Sequence, residues 1–372
     1  RDYKVTGVQT CALPILPLDN SFFDFQDLDR TELMWSIIDN NKDLFDILIK
    51  DMSDKDLNQK TNDGRTAIMY AALYNRMGMF KVLYNKGAEY YSYDKNKVDV
   101  ALIAARFGYL NILKTIEYSQ SSYDINNTST SSWAVAFGQN EVLYYLCVNG
   151  HNVPQEIDHF GNDVAHYAAI TGNVEAISIL NEHCYYGYDG FDVPDKLGRS
   201  PFMLALLNGH IDIIKTMLNF GWKEIYQHNF PPRWVTDKLI TDNNDMCALQ
   251  LASMVGNYTV IDYLIKEAGF DINRQNKYGE TALLIAAKYG QITTLDYILS
   301  KSSSLDSVDC EGNSALMLAS KSGNIYMVNH LLENTKVEIN RKNKKHQTAL
   351  SLALVYQNNK VAEILTKHGA KI

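Results

Sequence analysis

One fourteen-residue pattern recurs along the chain, and it constrains the fold more than any other feature. YGETALLIAAKYGQ, from Tyr278, and EGNSALMLASKSGN, from Glu311, align residue for residue, with Gly279 and Gly312 33 residues apart. The same positions align with DGRTAIMYAALYNR from Asp63, FGNDVAHYAAITGN from Phe160, LGRSPFMLALLNGH from Leu197, NDMCALQLASMVGN from Asn244 and KHQTALSLALVYQN from Lys345. Weaker copies begin at Asn96 and Ser129, and TELMWSIIDNNKDLFDILI from Thr31 reads as a degenerate first copy. Self-similarity at a fixed period of this size is the signature of stacked repeats.

Each copy carries the signals of a helix pair. Thr66, Ser200, Thr281, Ser314 and Thr348 stand just before an apolar run, where a hydroxyl can cap free backbone N–H groups. Pro201 falls in a first turn, where it costs no hydrogen bond. Ala71-Ala72, Ala168-Ala169 and Ala286-Ala287 keep the first helix thin. Gly108, Gly138, Gly172, Gly209, Gly256, Gly290 and Gly323 stand where it must stop. Runs such as Val174–Leu180 and Ile325–Leu332 then place apolar residues at helical spacing for a second helix. The GFDIN of Gly269–Asn273 and the final HGA suit the turn into the next hairpin. No single unit buries its apolar stripe alone, so the units must stack.

These segments resemble the ankyrin repeat family, whose pattern runs G-x-T-P-L-H-x-A-A-x-x-G-H. The resemblance covers roughly residues 30–372 and implies an all-α ankyrin-repeat solenoid of about nine to ten helix-turn-helix repeats with short hairpin loops. Departures from the pattern matter. The family proline survives only at Pro201 and the family histidine of the first helix only at His166, which puts in doubt the usual hydrogen bonding between repeats elsewhere. His210 stands at the family's turn histidine. Two spacings are stretched, placing insertions near 185–194 and 223–241.

The segment before the array is of a different kind. RDYKVTGVQTCALPIL lacks the continuous apolar stretch of a secretory signal, since Thr6, Gln9 and Thr10 interrupt it. Val5–Ile15 is what a common sequencing-library adapter would encode. Residues 1–15 therefore read as an adapter-derived artefact, 16–29 as an N-terminal tail, and the natural N-terminus as missing.

Composition excludes several functions. No apolar run approaches the roughly 18 residues of a membrane span, and a net charge of -8 opposes general nucleic-acid binding. Cys147, Cys184, Cys247 and Cys310 are far apart with no CxxC pair, so they read as reduced thiols of a cytoplasmic protein, nuclear residence being an alternative. No phosphate-binding loop, HExxH or GxSxG is present, and the carboxylates form no recurring pair. His166 beside Asp163 reads as a structural histidine. The basic run Arg341–His346 reads as a solvated hairpin, and Asn273 and Asn340, which resemble hydroxylation sites of some ankyrin proteins, read as turn formers. The expectation is a non-enzyme without cofactor, metal, membrane insertion, nucleic-acid or small-molecule substrate.

What goes beyond scaffold is aromatic. Just before the first-helix stop the repeats carry Tyr74, Phe107, Phe137, Tyr289 and Tyr356, a position that family geometry turns toward the concave groove. Large rings there suit a protein interface, because they bury much area for little lost rotamer freedom. Phe230 and Trp234, flanking the stiff Pro231-Pro232, extend that expectation to the long insertion. The functional expectation is a scaffold binding protein partners through the concave face and hairpin tips. The alternative is the regulatory or targeting ankyrin region of a larger enzyme, channel or ubiquitin-ligase adaptor.

Overall fold

The computed structural model describes residues 29–118, 122–149, 153, 156–184, 191, 193–217, 245–267, 269–301 and 305–372. The adapter-like residues 1–15, nearly all of the 16–29 tail, most of the 185–194 insertion, and the 223–241 insertion with Phe230 and Trp234 lie outside the described residues.

The described residues contain helices and no named strand, only one isolated bridge between Tyr123 and Ser129. The fold is an all-α ankyrin-type solenoid of helix pairs. One compact unit holds the described residues through Lys196 and a second begins at Leu197. In the first, the pairs are Glu32–Ile38 with Lys42–Lys50, Ala67–Leu73 with Met77–Asn85, Val100–Phe107 with Leu110–Thr115, Thr130–Ala136 with Asn140–Val148, and Val164–Thr171 with Val174–His183. The second pairs Pro201–Asn208 with helical residues 211–217, Ala248–Val255 with Tyr258–Lys266, Ala282–Tyr289 with Ile292–Lys301, Ala315–Ser322 with Ile325–Asn334, and Ala349–Val355 with Asn359–Lys367.

Most first helices are almost fully buried, as expected of a layer packed on both sides, whereas Glu32–Ile38 and Ala349–Val355 leave Trp35, Leu354 and Val355 exposed. The second helices bury a single stripe, such as Met327, Val328 and Leu331. The alanine pairs of the first helices have no exposed surface, which is what close stacking requires.

The caps are less uniform than the hydroxyl pattern predicts. Ser200, Thr281 and Thr348 accept from the backbone N–H three residues on, at 3.4, 3.4 and 3.2 Å. Thr66 and Ser314 make no side-chain cap bond, and the buried Thr66 Oγ1 has no partner at all. At the other end Gly108, Gly172, Gly209, Gly256, Gly290 and Gly323 are left-handed helix caps, φ 73° to 83°. Gly138 is left-handed one residue beyond the cap Phe137, while Asn75 and Gln357 take the same conformation without being glycine.

Two readings need correction. Cys147 and Cys184 are not free thiols but a disulfide, with Cα atoms 5.2 Å apart. They end the second helices of neighbouring repeats, so stacking unites residues 37 apart in sequence, a relation that a search for local cysteine pairs misses. Among the described residues Cys247 and Cys310 are outside any disulfide, and the cysteine argument for a reducing compartment falls away.

Hydrogen bonding between repeats is also fuller than the missing histidines suggest. In several repeats the turn residue after the first helix reaches back to the carbonyl end of the preceding first helix. Gln139 Nε2 donates to Arg106 O at 3.1 Å, Gln291 Nε2 to Met254 O at 3.1 Å, and Asn358 Nδ2 to Ser320 O at 2.9 Å. Arg76 does the same from its guanidinium to Ile37 O and Ile38 O, both at 3.2 Å. These side chains satisfy carbonyls that helix ends leave open.

Candidate interaction surface

The helix stop fixes where the aromatics stand. Phe107 and Tyr289 are the last residues of Val100–Phe107 and Ala282–Tyr289, while Tyr74, Phe137 and Tyr356 are the caps one residue beyond their helices. Tyr356 is 44% exposed and the other four are half-buried. They are not free-standing anchors, because the array covers part of each.

In the first unit Phe107 and Phe137 are brought together by a residue the aromatic pattern did not point to. The Arg106 guanidinium carbon lies 4.4 Å from the Phe137 ring centre, 5.7 Å from Phe107 and 5.9 Å from the buried Trp133. Arg106 is itself buried, so its charge is carried across the faces of rings from two successive repeats. Trp133 and Phe137 are 5.9 Å apart, and Phe107 stacks on Tyr109 at 5.6 Å. The result is a rigid cluster of rings at the ends of two neighbouring first helices. Tyr74 belongs to the repeat before it.

The second unit repeats the device more openly. Lys321 Nζ lies 5.2 Å from the ring centre of Tyr356 in the next repeat. Lys288 Nζ lies 5.7 Å from Tyr289 and also holds Glu280 at 2.6 Å. Tyr289 and Tyr356 are not neighbours, because the intervening repeat ends in Ser322. The five aromatics thus fall into separate groups, three in one unit and two in the other. The signal for the missed cations was present in the dipeptides Arg106-Phe107 and Lys288-Tyr289.

His166 has a structural task. Its Nδ1 accepts from Asp163 N at 3.2 Å while Asp163 Oδ1 accepts from Ala165 N and His166 N, closing a capping box in a fully buried site. Gln250 plays the same part: Oε1 accepts from Cys247 N at 2.8 Å, and Nε2 donates to Arg274 O and Glu280 O at 3.0 and 2.9 Å. Among the described residues no cluster of His, Cys, Asp and Glu has metal-binding geometry, and no helix is long and apolar enough to cross a membrane.

Comparison with known proteins decides the family. A family model described as "Ankyrin repeats (3 copies)" matches residues 15–94, 33–129, 131–229, 223–309 and 283–372. The chain belongs to the ankyrin repeat family. Among curated proteins it is similar to ankyrin repeat protein nuc-2 of Neurospora crassa, 25% identical over 172 residues, 46% of this chain and 15% of that one. It is 29% identical over 174 residues to the ankyrin repeat protein YahD of Escherichia coli, 45% of this chain and 79% of YahD. It is 24% identical over 321 residues to the human transient receptor potential cation channel subfamily A member 1, 77% of this chain but 28% of the channel. The ankyrin array thus matches only a minor part of nuc-2 and of the channel.

Proposed function

We propose that the chain is a non-enzymatic scaffold whose ankyrin array binds protein partners, with Phe107, Phe137, Tyr289 and Tyr356 as anchors. The observation carrying this reading is the cation-backed ring at successive first-helix ends, above all Arg106 at 4.4 Å from Phe137. A ring already held by its neighbours loses little freedom when a partner covers it, so more of the contact energy appears as affinity. The cation beneath the ring leaves its outer face for an apolar or aromatic side chain of the partner. Phe230 and Trp234 of the insertion remain further anchor candidates.

The test is affinity capture with quantitative mass spectrometry on the full chain. Phe137→Ala and Tyr356→Ala should keep the melting temperature within a few degrees. At least one should weaken retention of a partner by about 2 kcal/mol, a hot-spot magnitude. Retention unchanged in both variants would remove these rings from the site.

A second reading is favoured by coverage: the array matches 15% of nuc-2 and 28% of the channel subunit, so an ankyrin region serving a larger protein fits the same sequence. An intact transcript encoding a further domain would select it.

A further inference from the structure

The last described repeat is basic within an acidic chain. Residues 339–362 hold five Lys and Arg and no Asp or Glu, in a protein of net charge -8. Lys342, Lys344, Lys345 and Lys360 are exposed. Arg341 Nη1 lies 4.0 Å from Asp306 and Lys345 Nζ 2.6 Å from Glu311, both acids coming from the preceding hairpin. Among the described residues no carboxylate pairs with Lys342, Lys344 or Lys360.

The same repeat exposes apolar surface where its predecessors do not. Leu354, Val355 and Tyr356, at the end of the first helix, are 46, 64 and 44% exposed. The residues aligned with Leu354 are Ala287 and Ser320, which have no exposed surface, and those aligned with Val355 are Lys288 and Lys321. A position that two earlier repeats fill with lysine is therefore apolar here, beside an excess of lysines.

Contacts place both features on one surface. Lys321 Nζ covers the Tyr356 ring at 5.2 Å. The hydrogen bond from Lys345, with Lys321 also close, holds the Glu311 carboxyl below its ordinary value, and Tyr356 lies within the field of Lys345. Over residues 305–313 and 335–347 together with Lys321, cations outnumber carboxylates six to four, and Lys360 adds a seventh. Of those four acids, Asp306 and Glu311 are paired, and Asp309 Oδ1 is occupied by Glu311 N and Asn313 N at 2.9 and 2.8 Å. The hairpin that carries the lysines is fixed: Asn343 Oδ1 accepts from Lys345 N and Gln347 N, both at 2.9 Å, while its Nδ2 donates to Asn313 Oδ1 at 2.8 Å.

We propose that this surface binds an acidic segment of a partner protein in which apolar side chains stand among carboxylates. This deepens the reading of the chain as a protein-binding array, naming the chemistry that meets Tyr356, and rests on it. Leu354 and Val355 take the apolar side chains beside the Tyr356 ring. The hairpin lysines face the carboxylates, steering the encounter and fixing its orientation. Nucleic acid fits the surface less well, because its charge is uniform along its length and most of it would meet the field of an acidic chain.

The experiment uses the full chain and fluorescein-labelled peptides read by anisotropy. The probes are Asp-Glu-Leu-Phe-Glu-Asp, a version with Ser-Ser for Leu-Phe, a version with Lys for every acid, and a single-stranded oligothymidine. The first should bind saturably and the other three at least about tenfold more weakly. Its affinity should fall as salt is raised from about 50 to about 300 mM, since exposed charges are screened. Lys342→Gln with Lys344→Gln, and separately Val355→Ser, should each weaken it at least about fivefold with circular dichroism unchanged, while Phe137→Ala changes nothing. If Val355→Ser lowers the melting temperature, the lysine double variant decides alone. The proposal is overturned by absence of saturable binding, by equal binding of any of the other three probes, or by equal binding to the lysine double variant. It is overturned too if sedimentation shows a dimer of the chain that the lysine double variant loses, because the occupant is then a second copy. Partner capture that depends on Phe137 or Tyr356 but not on Lys342 and Lys344 would sink this inference alone. Peptide binding that depends on the lysines, with capture indifferent to Phe137 and Tyr356, would sink the first-helix anchors alone.

Discussion

Asp99 shows how closely single side chains are fitted to this array. It caps Val100–Phe107 by accepting from Leu102 N at 2.9 Å, and it also receives the Ser122 hydroxyl from the next hairpin. Burial pushes its carboxyl up from the ordinary value, with the Ser122 and Leu102 bonds opposing the shift. A carboxyl whose folded pKa lies above its unfolded value binds a proton more readily when folded, so its contribution to stability is lost as pH rises above about 4. Asp99→Asn keeps the cap oxygen and removes the desolvated charge. Its stability relative to the natural chain should therefore rise as pH is raised from about 4 toward neutrality, as read by urea unfolding across that range. A flat difference would show that the charge is already compensated. The capping threonines offer a second comparison. Thr66 Oγ1 is buried without a partner, whereas Thr348 Oγ1 accepts from Ser351 N and donates to Lys371 O at 2.8 Å. Thr66→Val should be neutral or stabilising, since it removes an unsatisfied hydroxyl without changing shape. Thr348→Val should cost about 1 kcal/mol by the same unfolding assay.

At the scale of elements, what holds the array together is the joint between repeats. Helix starts and stops were legible because they depend on local chemistry: Gly290, at φ 77°, sits where an L side chain is strained. The joints were not legible, because they are made by residues that look like ordinary turn formers. Asn358 and Gln291 reach the previous repeat only once stacking has set the distance. Gln250 shows the same limit, replacing a histidine with a different side chain of equal reach. The Cys147–Cys184 bridge joins the ends of Asn140–Val148 and Val174–His183, closing a separation of 37 residues. In the chain-entropy account a loop of that size stabilises by about 3 to 4 kcal/mol. The Cys147→Ser, Cys184→Ser double variant should lose about that much in unfolding of the first unit, and dithiothreitol should bring the natural chain down to the same level. If reductant left the natural chain unchanged, the bridge would contribute nothing in solution.

For the whole molecule, the period of the sequence was enough to give the all-α ankyrin solenoid, because a repeat that cannot bury its own stripe leaves stacking as its one solution. The candidate surface was legible only in part. The positions of Tyr74, Phe107, Phe137, Tyr289 and Tyr356 follow from the helix stop, but their grouping does not. Arg106 and Lys321 lie on the repeat before the ring they cover, a relation created by stacking. The central claim is that partners dock on the first-helix ends. It is tested most directly by placing a photo-crosslinking benzoylphenylalanine singly at Phe137, at Tyr356 and, as a control on a second helix, at Tyr326, which is 80% exposed. The account predicts crosslinks to a protein partner from 137 or 356 and none from 326. Crosslinking from 326 with none from 137 or 356 would contradict it.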